Sequence, residues 1–526
     1  MTVPADPAHW FLAASERDNA ATQLDRRHRD GVAWTEGNHV EVLVDGTAYF
    51  PRVLDAVAKA HAGDWILVAD LQSDGDERLD GDGSEIATVL ADAAERGVAV
   101  RGLLWRSHPA GHGAAEIANT GAARRVNDAG GELLLDHRVR RGGSHHQKIV
   151  VVRHGDEHHE DDVAFVGGID LAHGRNDSPA HLGDEQAVAM GDARYGERPP
   201  WHDVQVRIAG PAVDDVIETF RERWLDPLPL EGPSPLRPLR GIVARNPPTP
   251  GALPPTRPQV RGAATAPGPH AVQILRTYPA RRHGYPFAPH GERSIARAYL
   301  KALARARRFV YIEDQYLWSL DATRALCDAL RAQRELHCVV ILPRHPDLGG
   351  VLGRASRFGR SRVERALAAA GGDRVHVFDL ENTQGTPIYV HAKVCIVDDI
   401  WMTIGSDNLN RRSWTHDSEI CCAVVDRAGE LPRATRLRLA REHLADTDGS
   451  LALDEPELWI DALTSGAHQL DTWHARSARG ARPLGHLRVH PSDRVARRAQ
   501  PALHLLHAWL LDPDGRPREL RRAGRY

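Results

Sequence analysis

The segments SHHQKIVVV (144–152) and YVHAKVCIVD (389–398) each place a histidine, one intervening residue and a lysine at the head of an apolar run. They lie about 240 residues apart, and each follows the same succession of elements. The first half reads as a helix over 49–61, a strand WILVADL (65–71), a second helical stretch and a strand VAVRGLLW (98–105). The second reads as a helix over 294–307, a strand FVYIEDQY (309–316), a helical stretch and a strand LHCVVIL (336–342). After each motif comes another strand ending in a Gly-containing turn, FVGGIDL (165–171) and TIGSDNL (403–409). Short Val/Ile runs alternating with helical periodicity predict α/β units whose strands are largely buried. Four elements recurring in one order indicate a tandem duplication of a whole α/β domain.

A chain of 526 residues has room for two to four domains or one large duplicated unit. A Pro/Gly-rich stretch over 226–269 has few apolar residues and reads as an extended linker. The expected division is an N-terminal extension (1–34), a first domain (35–225), the linker (226–269), a second domain (270–445) and a C-terminal tail (446–526), expected to cap the second half. The formal charge of −4 supplies no global basic field, so no nucleic-acid partner is expected. No apolar run reaches the ~18–20 residues needed to span a bilayer, and the N-terminus lacks a signal-peptide pattern. The expected location is the cytoplasm, extending to the membrane periphery, for a protein acting as a monomer. The five cysteines all fall in the second half without a CxxC spacing and read as reduced core residues. Most of the thirty histidines are expected at the surface. The run HGDEHHEDD (154–162) is expected to be a solvated loop, so no metal and no cofactor are expected.

Only four of the 67 cationic residues are lysines: Lys59, Lys148, Lys301 and Lys393. Two of them complete the paired motifs. In a strand, residues i and i+2 share a face, so His146 would sit beside Lys148 and His391 beside Lys393. A neutral imidazole is a nucleophile or base near neutral pH, and an imidazolium is an acid. An ammonium is a compact partner for a phosphate oxygen. One His and one Lys from each repeat, facing across a pseudo-twofold axis, would clamp a phosphate between two imidazoles. That arrangement suits in-line displacement through a phosphohistidine, without a metal.

The second motif, with His391, Lys393, Asp398, Gly405, Ser406 and Asn408, resembles the HxKx4D…GSxN signature of the phospholipase D superfamily. The first has His146, Lys148, Gly167, Gly168 and Asp170, but Arg153 stands where the signature has its aspartate. The blocks GGIDLAHGRND (167–177), PPWHDVQVRIAGPAV (199–213), VYIEDQYLW (310–318) and GSDNLNRRSWTHDSEI (405–420) look like those of plant and other eukaryotic-type members. The resemblance covers about 35–225 and 270–445. It includes no C2, PX or PH module, so calcium dependence is not implied. It implies two tandem phospholipase D-like α/β domains forming a pseudo-twofold bilobal unit. It makes His146 the nucleophile and His391 the general acid and base. Lys148, Lys393 and Asn408 would bind phosphate, with Gly168, Ser406 and Asp170 in the same pocket. A carboxylate repels phosphate, so Asp170 is expected to pair with a cation such as Lys148 or to be protonated. Asp203 and Glu419 match the acids that hold the imidazoles, with Asp417 competing for the second role, and Asp398 is a structural motif residue.

The expected activity is that of a phospholipase D-type phosphodiesterase. It would hydrolyse a glycerophospholipid at a membrane surface to phosphatidate and a free alcohol, with transfer to another alcohol as a side reaction. The alternatives are a cardiolipin synthase-like phosphatidyltransferase, a nuclease of the same superfamily, and a non-catalytic membrane-surface binding protein. The head group is not legible in the sequence.

Overall fold

The computed structural model describes all residues except 1–4, 29–30, 108–112, 156–159, 231–249, 258–267 and 493–495. Most of the 226–269 segment and the centre of the 154–162 run therefore lie outside the described residues.

The first half contributes β1 (Thr35–Val44), β2 (Trp65–Asp70), β3 (Ala99–Trp105), β4 (Glu132–Asp136), β5 (Ile149–Arg153), β6 (Val163–Gly167), β7 (Trp201–His202) and β8 (Val204–Ala209). The second contributes β9 (His270–Tyr278), β10 (Glu292–Arg293), β11 (Phe309–Glu313), β12 (His337–Ile341), β13 (Val375–Leu380), β14 (Tyr389–Val390), β15 (Val394–Val397), β16 (Trp401–Gly405) and β17 (Glu419–Asp426). The tail adds β18 (Leu487–Val489). One mixed sheet runs β18-β13-β12-β11-β15-β16-β17-β9-β1-β8-β6-β5-β2-β3-β4, with β10 attached to β9. Read outward from the β9–β1 seam, the two halves repeat one order. In each, antiparallel strands come first and three mutually parallel ones (β2-β3-β4, β11-β12-β13) lie outermost. The duplication is thus a single α/β layer structure with two lobes sharing one sheet.

The motif strands are apolar throughout because both faces are covered. Along β5, Ile149 and Val151 join the core that spans both lobes under the helices Ala212–Trp224 and Glu430–Leu444. Val150 and Val152 face the helices Gly46–Ala58 and Ile86–Glu95. In β15, Val394 and Ile396 alternate with Cys395 and Val397 in the same way. Fully burying each such side chain is worth about 1.5–3 kcal/mol, which fixes the register of the strands that lead out of the motifs. All five cysteines are free and buried.

Two expectations change. The His-x-Lys residues precede their strands instead of lying in them: β5 starts at Ile149 and β15 at Val394. The histidines are also more interior than the surface reading allowed. His145, His181, His202, His391, His443, His486 and His490 are all buried, and for His181, His202, His391, His443 and His490 carboxylates brought from distant segments make this tolerable.

The signature aspartate and its replacement both have an account. Asp398, at φ 54°, accepts from the backbone N–H of Arg307, Arg308 and Phe309, closing the end of the β11–β15 pair. In the first half the carboxylate sits just before the neighbouring strand β2. Asp64 accepts from the N–H of His61 and Gly155, while Arg153 donates to the Pro255 carbonyl at 2.6 Å. The departure at Arg153 leaves the turn satisfied and ties the described part of the linker to the first lobe.

The tail covers the second lobe. Trp459, Ile460 and Leu463 of the helix Pro456–Ala475 enter the shared core, and Leu503 and Leu511 pack on the helix Gly350–Gly371. Lys301 donates to the Phe11 carbonyl and to Glu16, each at 2.6 Å, anchoring the N-terminal stretch, whereas Lys59 is exposed beside Asp55.

Candidate active site

The two motifs meet where the parallel strands β2 and β11 end and the antiparallel strands β5 and β15 begin. Ligands of open α/β sheets bind outside these carboxyl ends. Each motif is steered there by one short contact with the opposite lobe. His145 bridges Ser418 in parallel, and the His146 N–H donates to the Ser418 carbonyl at 2.9 Å. Val390 pairs with His202 in parallel, and the His391 N–H donates to the His202 carbonyl at 2.8 Å. The next residue along each partner segment is the acid.

The carboxylates therefore cross the seam. His146 Nδ1, from the first lobe, lies 2.8 Å from Glu419 Oε2 of the second. His391 Nδ1, from the second, lies 2.6 Å from Asp203 Oδ2 of the first. With Nδ1–H donated to a carboxylate, the free electron pair is on Nε2, the atom left to react. The imidazoles keep 14 % and 7 % side-chain exposure, while both acids are sealed. Asp417, the competitor for Glu419, accepts from Arg412 and from the Ser144 N–H and does not reach His146.

The lysines complete the symmetry. Lys148 Nζ donates to the His146 carbonyl at 3.2 Å, and Lys393 Nζ to the His391 carbonyl. Lys148 also lies 3.1 Å from Asp170 Oδ1, so this carboxylate has its cation. The Leu171 N–H donates to Asp70 at 2.8 Å, and in the other lobe the Leu409 N–H donates to Asp314 at 2.6 Å. These bonds hold the turns that carry Asp170 and Asn408. Asn408 is buried and its Oδ1 has no hydrogen-bond partner.

Gly168 and Ser406 lie behind the imidazoles. A Cβ on Gly168 would stand 2.0 Å from Asp203 Oδ1, so glycine makes room for the acid. Ser406 Oγ donates to Glu419 Oε2 at 2.5 Å and aims the longer side chain. Both support an acid, where the sequence reading put them against phosphate. Several neighbours escaped that reading. Gln315 Oε1 stands 3.4 Å from Lys393 Nζ. Trp201 packs on His391 with ring centroids 4.8 Å apart, and the Arg175 guanidinium lies 3.9 Å over the Trp201 ring. Trp201, Gln315 and Arg175 all lie in the quoted blocks PPWHDVQVRIAGPAV, VYIEDQYLW and GGIDLAHGRND, but nothing within those blocks singled them out as neighbours of the motifs.

The electrostatics differ between lobes. Burial lowers both imidazoles, with Lys148 and Lys393 adding to the effect on His146 and Lys393 to that on His391; His391 falls to about 3 although Asp203 opposes this. Against its burial, Asp203 is held below the usual carboxylate range by His391 and Lys393. Glu419 is pushed up to about 8 by burial and the nearby Asp417. Burial brings the Lys393 ammonium down to about 8, with Asp203 opposing and Lys148 assisting. An anion between the lysines would offset their charge and so oppose the lowering of both imidazoles.

Comparison with known proteins agrees with this geometry. The family model described as Phospholipase D matches residues 60–229, and one described as Cardiolipin synthase, PLD-like domain, matches 299–436. Phospholipase D alpha 1 of Vigna unguiculata is 28% identical over 397 residues, covering 56% of this chain and 47% of that protein. Phospholipase D beta 2 of Arabidopsis thaliana is 27% identical over 461 residues, covering 66% of this chain and 48% of its own length. The chain thus spans about half the length of these relatives. Among solved structures, the phosphatidylserine synthase of Haemophilus influenzae superposes with a TM-score of 0.51 at 15% identity, covering 84% of this chain and 93% of that one, a likeness of fold. Two in-register His-x-Lys motifs, each with its acid supplied by the other lobe, and matches to both halves lead to one conclusion: the chain belongs to the phospholipase D superfamily.

Proposed function

We propose that the protein is a phospholipase D-type phosphodiesterase, cleaving glycerophospholipids to phosphatidate and a free alcohol. The observation that carries this reading is the crosswise pair of carboxylate-anchored imidazoles, each beside a buried lysine. His146 Nε2 attacks phosphorus as the bond to the head-group oxygen breaks, and His391 gives that oxygen its Nε2 proton. Water then loses a proton to His391 as its oxygen attacks phosphorus, and the phosphorus–nitrogen bond to His146 breaks. An acceptor alcohol in place of water gives transfer by the same step. The division of roles follows the carboxylates: an ionised Asp203 stabilises the imidazolium that a general acid must be before it gives up its proton, and Glu419, pushed up to about 8, does so less. Lys148, Lys393 and Asn408 would hold the phosphoryl oxygens.

A membrane surface is the proposed place of action, with no helix among the described residues long and apolar enough to cross the bilayer. Leu505, Trp509 and Leu510 of the tail are 59 %, 80 % and 53 % exposed. Exposed Trp and Leu side chains suit the lipid–water boundary. This segment sits by the site: His507 packs edge-on against Trp318, which stacks on Tyr316, and the Gln315 amide donates to the Tyr316 hydroxyl.

Incubation with phosphatidylcholine vesicles is expected to release choline, and added ethanol to divert product to phosphatidylethanol. Cleavage of DNA with no turnover on a panel of phospholipid head groups would sink the reading. Arginine at Lys148 or Lys393, whose longer planar head does not fit a clamp built for an ammonium, is expected to lower kcat/KM by roughly 10²–10³-fold. Lys59→Arg should stay within about twofold, as expected of a surface exchange.

The lysine also sets a pH limit. Lys393 is an ammonium below about 8 and loses its charge above it, so kcat/KM is expected to decline on the alkaline side from about that pH. The bound anion favours the ammonium, which moves the corresponding limb of kcat to higher pH. Glu419→Gln should retain this limb. A kcat/KM profile unchanged into the alkaline range would contradict the assignment.

A further inference from the structure

Behind Asp203, away from the reacting nitrogens, four segments bring two histidines and two carboxylates to one buried point. Asp45 follows β1 directly, His181 lies in the loop before β7, His202 is in β7, and Glu442 is on the helix Glu430–Leu444. One ligand atom from each lies within 4.8 Å of all the others. His202 Nδ1 is 3.1 Å from Asp45 Oδ1 and 3.2 Å from Glu442 Oε1, and His181 Nε2 is 3.4 Å from Glu442 Oε1. Tetrahedral zinc with bonds of about 2.0–2.1 Å sets its ligand atoms about 3.3 Å apart.

Hydrogen bonding leaves the cluster incomplete. His181 Nδ1 faces the Trp201 carbonyl at 3.0 Å and must carry its proton there. His181 Nε2, in a side chain with no exposure, and Glu442 Oε1 have no aligned hydrogen-bond partner despite their proximity. The contact of His181 Nε2 with Glu442 Oε1 is 3.4 Å long and not aligned as a hydrogen bond, and electron pairs converging beside the line between two atoms are what a metal uses. The outer nitrogens are arranged as metal-bound histidines require. His181 Nδ1 meets a carbonyl, and His202 Nε2 meets Glu313 Oε2 at 2.9 Å. Glu313 is fixed in turn by His443 Nε2 at 2.8 Å and by the Tyr311 hydroxyl. Asp45 and His181 both have positive φ, 66° and 49°, a conformation uncommon outside glycine that tends to persist at functional positions.

We propose that Asp45, His181, His202 and Glu442 form a structural site for a divalent transition metal, zinc being the ion best suited to two imidazoles and two carboxylates. Two carboxylates balance the charge of the ion. Four protein donors fill a tetrahedron and leave no position for substrate, so the ion takes no part in the reaction described above, and the proposal does not rest on that reaction. It joins the end of β1, the loop before β7 and a helix of the second lobe, immediately beside the residue that holds His391.

The test uses the full chain, produced without a histidine tag in zinc-supplemented medium. Elemental analysis is expected to find about one zinc per chain, and exchange for cobalt to give the visible d–d bands of a tetrahedral nitrogen/oxygen site without a thiolate charge-transfer band. His181→Ala and Glu442→Gln should each lose the ion, and replacement of His158 and His159 should not. Removal of the ion should lower the Tm. Wild-type protein that refolds in excess zinc or cobalt yet retains no ion and shows no d–d bands overturns the proposal; so does an ion that survives both ligand substitutions. The wild-type measurements decide the matter even where a variant fails to fold.

Discussion

His146→Ala is expected to leave no covalent phosphoenzyme and to lower turnover by roughly 10⁴–10⁶-fold, the range seen when a nucleophile acting within a catalytic unit is removed. The reasoning is geometric. His146 Nδ1 is committed to Glu419, which leaves Nε2 to react, and burial together with the two lysines favours the neutral ring. His391→Ala should still form the covalent species with an activated leaving group, which needs no acid, and then fail to release it. Acid-quench trapping of labelled substrate distinguishes the two. A covalent species that survives in His146→Ala and vanishes in His391→Ala would reverse the assigned roles.

The second large effect is expected at Asp203, which lies in the same half of the chain as His146 but serves the other histidine. Asp203→Asn keeps the shape and removes the charge that orients His391 and stabilises its imidazolium; such a change costs about 10³–10⁴-fold in turnover. Because the acids cross the seam, the loss should fall on the steps that His391 performs. With an activated leaving group, Asp203→Asn should accumulate phosphoenzyme, whereas Glu419→Gln should slow its formation. If Asp203→Asn slowed formation and left release untouched, the crosswise assignment would be wrong.

The sequence made the lobes legible because their strands are defined locally. Apolar runs such as IVVV at 149–152 and VCIV at 394–397 are buried on both faces, and the pattern repeats in the same order. It did not show which acid serves which histidine. Those contacts join residues 273 and 188 positions apart and exist only because β1 pairs with β9. Placing the His-x-Lys residues within their strands failed for a related reason. An extended segment held by one foreign bridge has the same local periodicity as a ladder strand. Interior histidines were missed because an imidazole next to arginines in sequence looks solvated, while its carboxylate, as with His202 and Glu313, arrives 111 positions later. Asp64 standing in for the missing motif aspartate likewise requires knowing that two strands end together.

The β9–β1 seam has a further consequence. A symmetric site assembled from two identical copies would depend on encounter, and every change would appear twice. Here both lobes belong to one chain, so the site forms at any dilution and each position can vary alone. The variation is visible: aspartate faces one histidine and glutamate the other, glycine backs the first acid and serine the second, and Asp170 corresponds to Asn408. Continuity of the chain is what lets two equivalent histidines take the separate roles of nucleophile and proton carrier proposed above.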